Sequence, residues 1–585
     1  MKRLDNRAVV GNNIKLWLPI LFFLALILLC CRAPYGYFFD DEPYIITLAQ
    51  RVYYGDRLIL DEWHVAQPIA PLLLPLYSLY VNLTGGTEGI LLAFRFTYCL
   101  MWTMVCYMVC KTLIRETKPL NAGKYGAVSV IWATLYLFLF SPLDYMTLSY
   151  TSIGLSAAFA VICLALWNTP ELKLRPPTAG ILLAVSVCIQ VLCSPYMCFP
   201  VIAGTVVAWV YLKRGKKNGP EAMIRCLFWF AGSVLVIFLL FCLLFILRGK
   251  EVAYLIPCIR AIFHDPQHPA RGLLKGLLTM IINLGKKCAP FAVIISAAAL
   301  VVLLKPKWAS RFRLHVFLLC CLGYLFAMFQ CITWWRQGLN YQMIDLAMLG
   351  FISYLLLHEK PKRLFCTFYL YGLAYTVCNY FGSNTELFSV GMTLSVCGTA
   401  GAVFVMLLCH ELSGEYKTKP VASEVIGVLA AVLVLAQLGA QGYLKVTRQY
   451  WDRPLSQLTA RIDVGAAKGI MTTEGRKNQY EENYRNLRGL LQNASVGPDS
   501  RFVSLSPNTI AYLDARLPVG TYSSWTFTNN DPDLFFARMD DYIRLGHAPP
   551  DVLYCAKRVA VPDRFQEEGY EVYTNGEAVL YKRSR

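Results

Sequence analysis

The chain has 585 residues, of which 56% are hydrophobic, and it carries a formal net charge of +18. With a mean hydropathy of +0.46 and recurring apolar runs of bilayer length, it is excluded from the ordinary soluble proteins. The positive charge does not indicate a nucleic-acid partner: from Lys445 to Arg585 nineteen Lys/Arg face seventeen Asp/Glu. Almost all of the excess therefore lies in short connections between apolar segments, which is the footprint of membrane topology.

Met1–Val10 is basic and Leu16–Cys31 apolar, with no small-residue cleavage site between them and the polar residues that follow. This pattern predicts a retained first helix rather than a signal peptide. Directly after it comes Asp40-Asp41-Glu42-Pro43, and then an amphipathic helix over 43–55. Three carboxylates at the exit of a membrane helix are costly unless they face water or a substrate. They also suit the N-terminal cap and first turn of the helix behind them, with Pro43 near its start.

Asp61-Glu62-Trp63-His64 precedes a second interfacial helix over 67–83. Its apolar part, Ile69–Val81, holds Pro71 and Pro75 and is short for a span. Further spans are expected at 88–110, 125–141, 148–167, 178–193, 196–212, 226–247, 288–304, 314–330, 341–357, 364–381, 387–410 and 424–443. With the first helix that makes about thirteen. If the N-terminus is cytoplasmic and 69–81 does not cross, the basic loops at Lys111–Lys124, Lys213–Lys217, Lys305–Arg313 and Lys360–Arg363 all fall inside. Letting 69–81 cross would invert every one of them. Two long outer loops result, 32–87 and 248–286.

Residues 1–444 thus read as a polytopic α-helical membrane body. Residues 445–585 read as a small extracytoplasmic domain of α/β or α+β type. Within it helices are expected at Tyr480–Gln492 and Pro532–Leu545, and strands at Arg501–Leu505 and Asp551–Cys555. A hairpin is expected from Tyr570–Tyr573 to Ala578–Tyr581, around Asn575-Gly576. The 21 cysteines fall mostly within apolar runs and behave as small hydrophobes.

An acceptor hydroxyl attacking a sugar held on a lipid phosphate needs one well-placed base, and the phosphate leaving group needs no general acid. A single carboxylate at the membrane surface can supply that base. The order Phe38-Phe39-Asp40-Asp41-Glu42-Pro43-Tyr44, Leu48-Ala49-Gln50-Arg51 and Tyr54-Gly55-Asp56 resembles the first outer loop of the GT-C glycosyltransferases. The nearest branch holds the protein O-mannosyltransferases and the lipid A aminoarabinose transferase. The likeness continues through Gln67-Pro68, Gly85-Gly86-Thr87-Glu88 and Phe94-Arg95.

The resemblance implies a GT-C-like membrane domain and inverting transfer from a polyprenyl-phosphate-linked sugar. The acceptor would be a glycan, lipid or protein at the outer face of a bacterial plasma membrane. It also implies Asp41 as catalytic base, with Glu42 beside it. The chain departs from the aminoarabinose branch at Ala66-Gln67-Pro68, where that branch has Glu-Lys before its prolines. It departs again at Cys193-Ser194-Pro195-Tyr196, which lacks a Lys. Both differences argue against aminoarabinose as the sugar.

Phosphate-binding candidates are then Arg260, Arg271, Lys275 and Arg336, with Trp334 beside Arg336 for a sugar or lipid. Trp334-Trp335-Arg336 equally suits an interfacial aromatic belt with a snorkelling arginine. Asp40, Trp63, His64 and Gln67 are further substrate-binding candidates. Arg95 is another substrate-binding candidate; inside a span it equally calls for an acidic partner, one of the carboxylates at 40–42. His264 and His268 flank a Pro266 that breaks the register needed for a joint metal site, and no cofactor is required by any motif. A transporter or flippase, or a glycan polymerase or ligase, would be built on a similar polytopic plan. The first would show inverted repeats and broken spans, the second Arg-rich outer loops.

Overall fold

A computed structural model describes residues 6–37, 40–120, 122–140, 146–167, 175–195, 219–247, 252–263, 273–288, 290–333, 338–382, 387–447, 452–505, 509–525, 532–557 and 569–584. Among the described residues the regular structure of the membrane body is helical. Its elements are α1 (Asn6–Arg32), α2 (Asp41–Tyr53), α3 (Ala70–Thr84), α4 (Ile90–Thr117), α5 (Gly123–Leu139), α6 (Tyr150–Trp167), α7 (Pro176–Cys193) and α8 (Gly219–Phe241). They continue with α9 (Leu255–Phe263), α10 (Leu273–Cys288), α11 (Phe291–Leu304), α12 (Arg313–Thr333), α13 (Gly338–Leu356), α14 (Tyr371–Gly382), α15 (Leu387–Glu415) and α16 (Pro420–Thr447).

Among the described residues seven helices are long and apolar enough to cross a membrane: α4, α6, α7, α8, α12, α15 and α16. Shorter apolar helices cover Leu18–Arg32, Gly123–Leu139 and Tyr341–Leu356. The expected span at 196–212 lies outside the described residues. α10 and α11 form a further apolar pair, bent by 110° at their junction. α2 and α3 each fall short of the ~30 Å hydrocarbon core, since 1.5 Å per residue gives α3 roughly 22 Å.

The bundle is tightest where α13 meets α15. A Cβ on Gly350 would run into Gly401 Cα, and one on Gly401 would lie 2.8 Å from Leu346 O. Small residues let two helix backbones approach this closely, which is how bilayer-embedded helices gain van der Waals contact. Gly350→Leu is therefore expected to push the helices apart and destabilise the bundle by about 1–3 kcal/mol. A lowered melting temperature in detergent would register it.

Beyond α16 the pattern changes. A small ladder pairs β1 (Ala460–Arg461) with β2 (Met471–Thr472). α17 (Glu474–Asn493), α18 (Ile510–Ala515) and α19 (Pro532–Arg544) accompany a four-stranded sheet of β3 (Phe502–Ser504), β4 (Val552–Cys555), β5 (Tyr570–Asn575) and β6 (Ala578–Arg583), in the order β3-β4-β6-β5. β3 runs parallel to β4 (Val503 opposite Leu553), and the other pairs are antiparallel. Asn575 still pairs with Ala578, so the hairpin loop is Gly576-Glu577, one residue later than the sequence suggests. Gly576 sits there at φ +61, a conformation open to glycine and favoured in two-residue hairpins.

This C-terminal layer is packed onto the 32–87 loop. Leu60, Trp63 and Cys258 share one buried cluster with Val503, Phe535, Phe536, Met539, Tyr542 and Leu553. Residues from the 32–87 and 248–286 segments thus complete a core that the C-terminal strands and helices leave open.

Candidate functional site

The acidic stretch opens α2. Asp40 occupies the N-cap position, but its side chain makes no capping hydrogen bond. Its backbone carbonyl instead accepts from Tyr44 N at 3.1 Å and from Thr509 Oγ1 at 2.7 Å. Burial, reinforced by the like charge of Asp41, pushes the Asp40 carboxyl up to about 6. Asp41 and Glu42 lie in the first turn, where the helix dipole favours negative charge.

The two carboxylates have different surroundings. Asp41 is partly exposed. Glu42 is fully buried, and both its oxygens are taken by Arg95: Nε to Oε1 at 2.8 Å and Nη2 to Oε2 at 2.6 Å. Arg95 Nη1 also donates to Ala33 O (3.0 Å) and Gly36 O (2.9 Å). The arginine expected to seek an acid thus joins the end of α1, the start of α2 and α4 in one bidentate fork. A carboxylate held this way fixes geometry and is poorly placed to accept a proton from an incoming hydroxyl, which separates Glu42 from the base role shared with Asp41.

One turn on, Tyr44 lies on the same helix face as Asp41. Its ring meets His64 at 5.1 Å and Trp525 at 4.7 Å, both edge-on, and His64 stacks on Trp525 at 5.5 Å. His64 Nδ1 accepts from Ala66 N at 3.1 Å. The aromatic group beside the acidic stretch is therefore Tyr44–His64–Trp525. Trp63, expected to pack a sugar, is instead buried: its Nε1 donates to Leu60 O at 3.2 Å and its ring lies among Tyr522, Tyr542 and the Arg538 guanidinium.

Gln67 is likewise buried, and its Oε1 accepts from Ile59 N. Ile59 sits at φ +70, a conformation that β-branched residues avoid. Gln67 therefore holds a strained turn, and both residues position the loop.

A second buried arginine joins that loop to the C-terminal layer. Arg51 contacts Asp56 Oδ2 (2.8 Å), Glu62 Oε2 (3.0 Å), Asp61 O and Thr521 O (2.8 Å). Glu62 also accepts from Ser524 N at 3.0 Å and Ser524 Oγ at 3.1 Å. Burial alone would raise the Asp61 carboxyl, but hydrogen bonds from His547 and Arg57 outweigh it and hold it well below the usual carboxylate range. Asp61 and Glu62 thus belong to a clamp.

On the other side of α2, Asp514 accepts from Ala466 N at 2.8 Å and from the Tyr480 hydroxyl at 3.0 Å. Arg476 bridges Asp452 (3.2 Å) and Tyr37 O (2.8 Å). Burial pushes the Asp514 carboxyl up to about 7 against those hydrogen bonds. An unfolded Asp releases its proton near pH 4, so between about pH 4 and 7 the folded chain binds the extra proton and stability falls as pH rises. Asp514→Asn removes that slope. Its melting temperature relative to wild type is expected to improve from pH 5 to pH 8, and parallel melting curves would contradict this.

Of the phosphate candidates, Arg260 is exposed on α9. That helix is anchored to the 32–87 loop by Cys258 and to α19 by Arg538 Nη2 donating to Ala261 O at 3.1 Å. Lys275 is exposed on α10. Arg271, Trp334, Arg336, His264 and His268 lie outside the described residues. Among the described residues no three His, Cys, Asp or Glu side chains are grouped to hold a metal ion. Sequence reasoning missed Trp525, Asp514 and the role of Arg51. Trp525 and the Arg51–Thr521 link depend on contacts hundreds of residues away along the chain, and Asp514 on Ala466 and Tyr480, 48 and 34 residues away.

No protein-family model and no curated protein matches the chain. Among solved structures it is similar to crystal structures of ArnT from Cupriavidus metallidurans. The form bound to undecaprenyl phosphate is 10% identical, with 96% of this chain and 97% of that chain covered and a TM-score of 0.45. The apo form is 12% identical over the same shares, with a TM-score of 0.42.

Proposed function

We propose that this multi-pass membrane protein is a glycosyltransferase, taking a sugar from a polyprenyl-phosphate-linked donor and passing it to a glycan, lipid or protein acceptor on the outer face of a plasma membrane. The observation that carries the reading is the division of labour at the start of α2. Arg95 sequesters Glu42, while the partly exposed Asp41 stands in the same helical turn, one turn from the Tyr44–His64–Trp525 group. Asp41 accepts the proton of the acceptor hydroxyl as its oxygen attacks the anomeric carbon. The bond to the phosphate oxygen breaks, polyprenyl phosphate leaves, and the configuration inverts.

Trp525, which is partly exposed, offers an aromatic face to a sugar ring, and the buried Tyr44 ring backs it edge-on. Arg260 and Lys275 supply cations for the donor phosphate, and Arg271, Arg336 and Trp334, outside the described residues, are further candidates for holding the donor. Asp40 keeps a second negative charge beside the base. In this topology the N-terminus is cytoplasmic, and α2, α3 and the C-terminal layer share the outer side. The 110° break between α10 and α11 is a feature that transporters also use, so a flippase is the second reading.

One reconstitution separates them. The purified protein in liposomes is given a panel of synthetic polyprenyl-phosphate-linked pentoses and hexoses together with an envelope glycolipid extract. The expected result is release of polyprenyl phosphate matched by new sugar on an acceptor. Intact donors that only change leaflet would overturn the transferase in favour of the flippase.

A further inference from the structure

A cleft of about 1430 Å³ separates α1 from α5, with α4 as its floor. Its walls are apolar: Leu21, Leu24 and Leu28 from α1, Ile114 from α4, and Ile131 and Leu135 from α5, all of them exposed. It exceeds the ~300–1,000 Å³ of pockets that hold drug-sized ligands. One end is different. Lys118, the residue that follows α4, lines the cleft there and is exposed, and Gly123 brings the positive end of α5 to the same mouth.

Lys118 is the one cation among the lining residues: Arg115 turns to Leu166 O at 3.5 Å, and Lys111 and Lys124 lie over Tyr107 and Tyr125. The nearby acid, Glu116, is already paired with Arg363 at 3.5 Å. An apolar trough with a cationic mouth has the complementarity of a lipid that carries an anionic headgroup.

The site is separate from the one at Asp41. Arg95 and Lys118 mark opposite ends of the same helix, roughly 35 Å apart at 1.5 Å per residue, which is about one hydrocarbon core. A lipid whose phosphate lay beside Asp41 could not place that phosphate at Lys118. We propose that the cleft is a binding site for an anionic glycerophospholipid, with acyl chains between α1 and α5 and the headgroup phosphate at Lys118. The occupant comes from the leaflet opposite the acidic stretch and is held by the protein whatever reaction it performs.

The test uses the full-length protein in mild detergent. Retained lipid is quantified by native mass spectrometry after delipidation, and the protein is then titrated with phosphatidylglycerol and with phosphatidylcholine. About one anionic phospholipid per chain should survive washing, and phosphatidylglycerol should bind roughly fivefold more tightly than phosphatidylcholine, the increment expected from one basic residue at a membrane surface. Lys118→Glu should abolish that preference. Ala127→Trp, at an exposed position in the cleft wall, should reduce binding of both lipids without changing the headgroup preference that remains. Equal affinities in wild type would overturn the proposal, as would retention of polyprenyl phosphate instead. So would a folded Lys118→Glu protein that still prefers phosphatidylglycerol.

Discussion

Arg95→Met is expected to destabilise the protein by about 3–5 kcal/mol, because it strands the fully buried Glu42 carboxylate without its countercharge. The two carbonyls that Arg95 serves, Ala33 and Gly36, lose a donor at the same time. Glu42→Gln alone leaves the guanidinium buried beside a neutral amide and should also destabilise. The double variant Arg95→Met/Glu42→Gln removes both charges and should recover a substantial part of the loss, since a buried pair is strained most when only one member goes. Thermal melting of the three variants checks this. Additive losses in the double variant would contradict a coupled pair.

Asp41→Asn is expected to behave in the opposite way. Its side chain is partly exposed at the first turn of α2, so an isosteric amide should leave the melting temperature within the small range of surface substitutions. Transfer, by contrast, should fall by roughly 10²–10⁴-fold, the share that a positioned general base supplies. The loss should appear in kcat with little change in the KM for the lipid-linked donor, because the amide keeps the size and polarity of the site and removes only the proton acceptor. Together the two substitutions assign separate roles to neighbouring residues: stranding Glu42 without Arg95 destabilises the fold, and loss of Asp41 silences transfer.

Much of the architecture was legible because apolar runs of bilayer length admit few alternatives, and α4, α6, α7, α12 and α16 fall where those runs predict. The C-terminal strands were legible from alternation and turn residues. The boundaries of α2 were less so: the helix begins at Asp41 rather than near Pro43, which places Asp41 and Glu42 inside the first turn. That an intramembrane arginine needs an acid follows from electrostatics, and the sequence left only its identity open.

Trp63 and Gln67 were harder to read. In the sequence each stands in a polar loop beside the acidic stretch, which suggests contact with substrate. Their actual surroundings, Tyr522, Tyr542 and the strained Ile59, depend on how the loop folds under the C-terminal layer. Trp525 carried no local signal at all, and its place beside Tyr44 and His64 is a product of tertiary packing.

The most direct test is a single-turnover transfer assay in liposomes, with wild type and Asp41→Asn prepared in parallel and matched for melting temperature. With a polyprenyl-phosphate-linked sugar that the wild type consumes, the variant should transfer at least about 100-fold more slowly while still binding the donor. An Asp41→Asn protein that turns the donor over at the wild-type rate would contradict the assignment of the base and, with it, the proposed chemistry at the start of α2.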